Sequence, residues 1–115
     1  MGSTGERIAA DHLKAMGYQV IDRNVRFSQG EIDIVAREGG ELVFVEVRTR
    51  RGREFGLAEE SITERKKRKL RSLVDLYLQT QRMGDEQSRI DVVVVELDRD
   101  GAVTRFEVIK NAIGD

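Results

Sequence analysis

GEIDIVA at 30–36 and LVFVEVRTR at 42–50 flank Gly39-Gly40 and read as the two arms of a β-hairpin. A Gly-Gly dipeptide between runs of period two favours a tight turn, because both central positions can take positive φ. A loop symmetric about the glycines sets the register in which paired residue numbers sum to 79. Ile32 then faces Val47, Ile34 faces Val45 and Ala36 faces Val43, which predicts one wholly apolar face. On the other face Asp33 lies opposite Glu46, Glu31 opposite Arg48 and Val35 opposite Phe44.

That register has an energetic cost. Opposed side chains on antiparallel strands have Cβ atoms about 4.5–5.5 Å apart, and a favourable pair contributes only about 0.2–1 kcal/mol. Two ionised carboxylates roughly 5 Å apart repel by about 3 kcal/mol at an effective dielectric near 20. Solvent exposure, a shared proton or a bound cation can each relieve such a pair. Val35, Leu42 and Phe44 share the acids' face, so that face is expected to be partly covered.

Composition narrows the class. The 115 residues suit one domain, 39% hydrophobic and 36% charged, with 20 basic and 21 acidic residues. The opening MGST is expected to be flexible. No apolar run approaches the roughly 20 residues that span a bilayer, and no signal-peptide pattern opens the chain. The absence of cysteine excludes a disulfide framework and a thiolate site, and fits a cytoplasmic protein. A net charge of −1 argues against a generally polybasic surface, but the cations cluster. Four of the six residues from Arg48 to Arg53 are arginine, and ERKKRKLR at 64–71 carries six basic residues. This segregation predicts a local positive region able to neutralise phosphates.

The element order reads α-β-β-β-α-β-β. A first helix over about Gly5 to Met16 carries the stripe Ala9, Ala10, Leu13 and Met16, with Glu6 one turn back at its amino end. YQVIDRNVRF forms the first strand, and the hairpin supplies the next two. A helix from about Thr63 to Gln81 places Leu70, Leu73, Val74, Tyr77 and Leu78 on a buried face. Running that face backwards reaches Lys66 and Lys67. RIDVVVVEL is a largely buried strand, and AVTRFEVI follows a turn at Asp98–Gly101. His12 reads as a surface histidine, since a lone histidine without cysteine makes no zinc site. Asp91 reads as the structural partner of Arg89 or another cation, with a supporting role at a site as the other reading.

Asp33, twelve intervening residues and Glu46-Val47-Arg48 at the end of a hydrophobic strand resemble the PD-(D/E)xK nuclease pattern. From about Gly5 to Ile113 the chain is similar to the YraN family of small bacterial proteins, predicted endonucleases. GERIAADHL, GEIDIVA, FVEVRTR, ERKKRKL and RIDVVVV occur in that family's order. The resemblance implies a restriction-endonuclease-like fold, a mixed central sheet flanked by helices, related to archaeal Holliday-junction resolvases. It implies Asp33 and Glu46 as catalytic, metal-binding carboxylates for Mg²⁺ or Mn²⁺, completed by the Val47 carbonyl, with Glu6 as the acid of the first helix.

Position 48 departs from the pattern, holding arginine where lysine is usual. Arginine can stabilise a phosphate but, with a pKa above about 12, cannot act as a base. The expected activity is metal-dependent hydrolysis of DNA, branched or structured DNA included. Arg48 would meet the scissile phosphate, and Arg50, Arg51, Arg53, Lys66 and Lys67 would contact the backbone. The alternative that Arg48 favours is a non-catalytic nucleic-acid-binding or partner-binding module on a nuclease scaffold, with Arg48 paired to Glu31. A homodimer is a further expectation from the related junction-cleaving enzymes.

Overall fold

Period-two alternation and a long amphipathic helix produce a mixed sheet with one helix on each face. The computed structural model describes residues 3–52 and 62–113. In chain order the elements are α1 (Ser3–Ala15), β1 (Gln19–Phe27), β2 (Gly30–Glu38), β3 (Glu41–Arg51), α2 (Glu64–Thr80), β4 (Ser88–Leu97) and β5 (Val103–Ile109). The strands lie in the order β1-β2-β3-β4-β5. Only β3 and β4 run parallel, joined by the crossover that contains α2. This is the expected restriction-endonuclease-like α/β architecture, in the expected order. Among the described residues no helix is long and apolar enough to cross a membrane.

The four valines of β4 explain why that strand lacks polar alternation. Val92 and Val94 pack with Leu70, Leu73, Val74 and Tyr77 of α2, while Val93 and Val95 pack with Ala9, Ala10 and Leu13 of α1. A strand buried on both faces must be apolar at successive positions. Phe44 and Tyr77 meet edge to face at 5.4 Å in the α2-side core. Thr63 caps α2 by accepting a hydrogen bond from the Lys66 N–H. Met16, expected in the buried stripe of α1, is instead 51% exposed, because the helix ends at Ala15 and Gly17 takes φ +99°. At its other end α1 begins at Ser3, so part of the opening stretch expected to be flexible is helical.

The hairpin keeps the register that its turn predicts, but only for part of its length. Ile34↔Val45, Val35↔Phe44, Ala36↔Val43, Arg37↔Leu42 and Glu38↔Glu41 are paired. Gly39 has φ +60°, and Gly40 is not among the positive-φ positions, so the turn needs a glycine only at its first central residue. Beyond Ile34 the ladder with β3 ends, and the expected pairs of Asp33, Ile32 and Glu31 are not part of it. β2 stays on β1 there, through Val25↔Ile32 and Phe27↔Gly30, while β3 continues along β4 as far as Arg51↔Leu97.

The single apolar face is therefore corrected. Ile34 and Ala36 join Val43, Val45 and Val47 in the α1-side core, whereas Ile32 belongs to the α2-side core with Val35 and Phe44. Alternation slips where the two strands part. The gap between them is where the acids collect.

Candidate metal centre

Four carboxylates from three elements converge at this parting. β2 supplies Glu31 and Asp33, β3 supplies Glu46, and the first turns of α1 supply Glu6. Carboxylate oxygens of Glu6, Glu31 and Asp33 all lie within 4.8 Å of one another. Asp33 Oδ2 accepts a hydrogen bond from the Val47 N–H at 2.8 Å, so Asp33 still reaches β3 although its backbone has left the ladder. Asn24 of β1 donates through its side-chain amide to Glu6 and, at 3.4 Å, to Glu31. It thereby ties the helix acid to the strand acid.

Cations stand at the edge of this group. Arg26 pairs with Glu31 at 2.9 Å from a side chain that is 80% exposed. Arg48 pairs with Glu46 on its own strand at 3.1 Å, and not with Glu31 as the hairpin register suggested. Among the described residues no ion pair reaches Asp33. Burial pushes the Asp33 carboxyl up, to about 8, and repulsion from Glu46, Glu6 and Glu31 adds to the rise, against the Val47 N–H that favours the charged form. Burial also raises Glu46, held back by the positive charges of Arg48 and Lys66. The pair thus favours holding a proton at a pH where an exposed carboxylate has none.

The profile of the uncharacterised protein family UPF0102 matches residues 5–95, a span that includes all four acids and both lysines of the cleft beside them. The chain belongs to this family, the YraN family of its motifs. A UPF0102 protein of Symbiobacterium thermophilum is 51% identical over 114 residues, which cover 97% of this chain and 94% of the relative. One from Dehalococcoides mccartyi is 46% identical over 114 residues, covering 99% and 93%. Another, from Moorella thermoacetica, is 47% identical over 111 residues, covering 96% and 92%.

In this UPF0102 chain the oxygen donors fit a hard divalent ion. Two oxygens on opposite sides of Mg²⁺ stand about 4.2 Å apart, twice its ligand distance, which is comparable with the spacing of the Glu6, Glu31 and Asp33 oxygens. Asp33 belongs both to this trio and to the expected pair with Glu46. A cleft of about 180 Å³ opens beside Glu46, lined by Glu31, Arg48, Lys66, Lys69, Leu70 and Leu73.

The expected backbone contacts divide. Lys66 lies in the cleft, whereas Lys67 pairs with Glu64 at 3.2 Å and lines a separate hollow with Ile62, Val92 and Ile109. Arg50 and Arg51 end β3, past Val47, and are not among the cleft-lining residues, and Arg53 lies outside the described residues.

Three residues of the site escaped the sequence reading. The hairpin register marks Glu31 only as a partner for Arg48, nothing in the pattern marks Asn24, and Lys69 is one cation among the six at 64–71. For Lys69 a usable signal existed, since it precedes the buried Leu73 by one turn and Lys66 precedes it by two. His12 is exposed and stacks on Phe106 with ring centroids 4.2 Å apart, in keeping with a surface role. Asp91, fully buried, accepts from Arg89, Tyr18 Oη and the Asn111 N–H, the structural reading of that residue.

Proposed function

We propose that this protein is a metal-dependent endonuclease that hydrolyses phosphodiester bonds in DNA, structured or branched DNA included. The observation that carries this reading is the convergence of Glu6, Glu31, Asp33 and Glu46 on one gap in the sheet, with no ion pair from the described residues reaching Asp33. Asp33 and Glu46 would hold Mg²⁺ or Mn²⁺ together with the Val47 carbonyl, and Glu6 and Glu31 lie close enough to share in it. When bound, such an ion offsets charge developing on the phosphate and eases deprotonation of the attacking water. The chain's own part is to fix the carboxylates: the Val47 N–H orients Asp33, and Asn24 orients Glu6 and Glu31. Family membership supports the reading through the shared motifs, and the basic α2 beside the cleft suits a polyanionic substrate.

The test is cleavage of labelled duplex and four-way-junction DNA with Mg²⁺ or Mn²⁺. Asp33→Ala is expected to lower the rate by at least about a hundredfold, the scale on which loss of a major electrostatic group is felt. Cleavage by that variant at the wild-type rate would sink the assignment.

One observation favours a second reading, a non-catalytic nucleic-acid-binding or partner-binding module: Arg48 is engaged by Glu46. Calorimetric titration separates the two. The nuclease reading requires Mn²⁺ binding that depends on Asp33 and Glu46, and the module reading does not.

A further inference from the structure

α2 presents two lysines one turn apart to the acid gap. Lys66 and Lys69 line the cleft with Glu31, Glu46 and Arg48, over a floor of Leu70 and Leu73. The same two lysines, with Thr63 and Arg65, line an adjoining hollow at the amino end of the helix. Because the hollows share both side chains, they form one basic wall leading away from the carboxylates. Lys69 lies close against β2: a Cβ built on Gly30 would stand 2.9 Å from its Cε and 3.4 Å from its Nζ. The end of the Lys69 side chain therefore lies beside the start of the strand that carries Glu31 and Asp33.

The cations differ in availability. Arg48 is engaged by Glu46, whose side chain is only 15% exposed, and withdrawing Arg48 would leave that largely buried carboxylate without its arginine. Among the described residues, the side-chain ammonium groups of Lys66 and Lys69 are in no ion pair or hydrogen bond. An ammonium on a flexible stem carries three donors and can follow a phosphate without giving up a partner. The amino end of α2 adds the positive end of its dipole.

We infer that Lys69, rather than Arg48, is the cation that meets the scissile phosphate, and that Lys66, Arg65 and the amino end of α2 hold the next phosphate of the same strand. This rests on the phosphodiester reading above and assigns the strand's path. Arg48 then acts as a positioning residue, holding Glu46 in place. Lys67 lines a separate hollow, and neither it nor Arg68 lines these two.

The experiment is binding of a short fluorescein-labelled DNA duplex in Ca²⁺, followed by anisotropy over a range of salt. Lys69→Ala is expected to weaken binding about tenfold and to lower the salt slope by about one phosphate contact, with Lys69→Arg restoring most of the affinity. Arg68→Ala, the same charge change roughly 100° around the helix and outside both hollows, should cost less than about twofold. Wild-type affinity and slope in Lys69→Ala, an equal loss in Arg68→Ala, or no binding by the wild type would each overturn the inference. Cleavage is scored separately. If Asp33→Ala cuts as well as the wild type, hydrolysis at this site fails while the Lys69 slope still decides the contact.

Discussion

At its turn end the β2–β3 hairpin gathers Glu38 and Glu41 around Arg89, together with the buried Asp91 of β4. At its open end it gathers Glu31, Asp33 and Glu46, with Glu6 from α1. Both ends concentrate acids, yet they are built differently. Arg89 lies at the centre of its group, donating to Asp91 at 3.0 Å, to Glu41 at 2.7 Å and to Glu38, and Lys110 reaches Glu38 at 3.0 Å from outside. These bonds hold Glu38 below the usual carboxylate range. Burial and Asp91 push Tyr18 up to about 12, so it remains a neutral donor to that carboxylate. At the open end the arginines sit at the periphery, and the central acid is raised instead of lowered. Where the fold needs acids for structure it supplies the cation itself. The open end leaves the middle of its cluster to something else, which is why we read it as the functional end.

The largest expected effect tests the turn end. Arg89→Met leaves the buried Asp91 without its cation, and should cost about 3–5 kcal/mol in urea unfolding. Adding Asp91→Leu should recover part of that loss, because no charge is then buried, while Tyr18 Oη and the Asn111 N–H lose their acceptor. A cost below about 1 kcal/mol for Arg89→Met would mean that this end is not held by its arginine, and the contrast would collapse.

The next effect tests the open end and has the opposite sign. Asp33 titrates at an ordinary carboxylate pKa when unfolded and at about 8 when folded. Between those values the folded state binds more protons than the unfolded state, so stability falls as pH rises. It is fully present below about pH 4 and lost progressively up to about pH 8. In chelator-treated protein Asp33→Asn, which keeps the shape without the charge, should therefore be the more stable form near pH 8, on the order of 1–3 kcal/mol. The advantage should vanish near pH 4. Saturating Mn²⁺ should reverse the order, since an ion that binds only the folded wild type stabilises it by mass action. Melting curves over pH, with and without Mn²⁺, check both halves.

The turn end was the easier of the two to anticipate from the chain. Gly39-Gly40 and the alternation on either side fix a local register, and the five pairs from Glu38↔Glu41 to Ile34↔Val45 obey it. The Arg89–Asp91 pair is two residues apart on one strand face and is equally local. The open end depends on where a ladder stops, and a pattern of period two carries no mark for that. Asp33 and Glu46 face each other only in the register symmetric about Gly39-Gly40, and they stay close in the fold although the ladder ends at Ile34↔Val45. Ile32 lies on the face opposite to the one alternation predicts, because the slip at Asp33–Ile34 comes with the parting of the strands and not with residue type. Glu6 was reached by extending the helix stripe back one turn. The buried face of α2 runs back to Lys66 and Lys67, yet Lys69 lines the cleft in place of Lys67, two residues and about 200° further round the helix.

The smallest effect concerns how the open end is held apart. In the β1–β2 register, which pairs Arg23↔Ile34 and Val25↔Ile32, Asn24 falls opposite Asp33. Its φ is +52°, a left-handed conformation within a strand, and asparagine is among the few side chains that tolerate it. This conformation goes with an amide that bridges Glu6 and Glu31. Two substitutions separate the backbone cost from the amide. Asn24→Gly removes the amide while meeting the φ freely, whereas Asn24→Ala removes the amide and also imposes a left-handed alanine, at a cost of about 1–2 kcal/mol. Alanine should accordingly be less stable than glycine by about that amount, with glycine within about 0.5 kcal/mol of the wild type because the lost hydrogen bonds are exposed. Equal stability of the two variants would mean that β1 relaxes out of the left-handed conformation once the amide is gone. The bridge to Glu6 and Glu31 would then be what holds the strand in that shape, and the acids would organise β1 as much as β1 organises the acids.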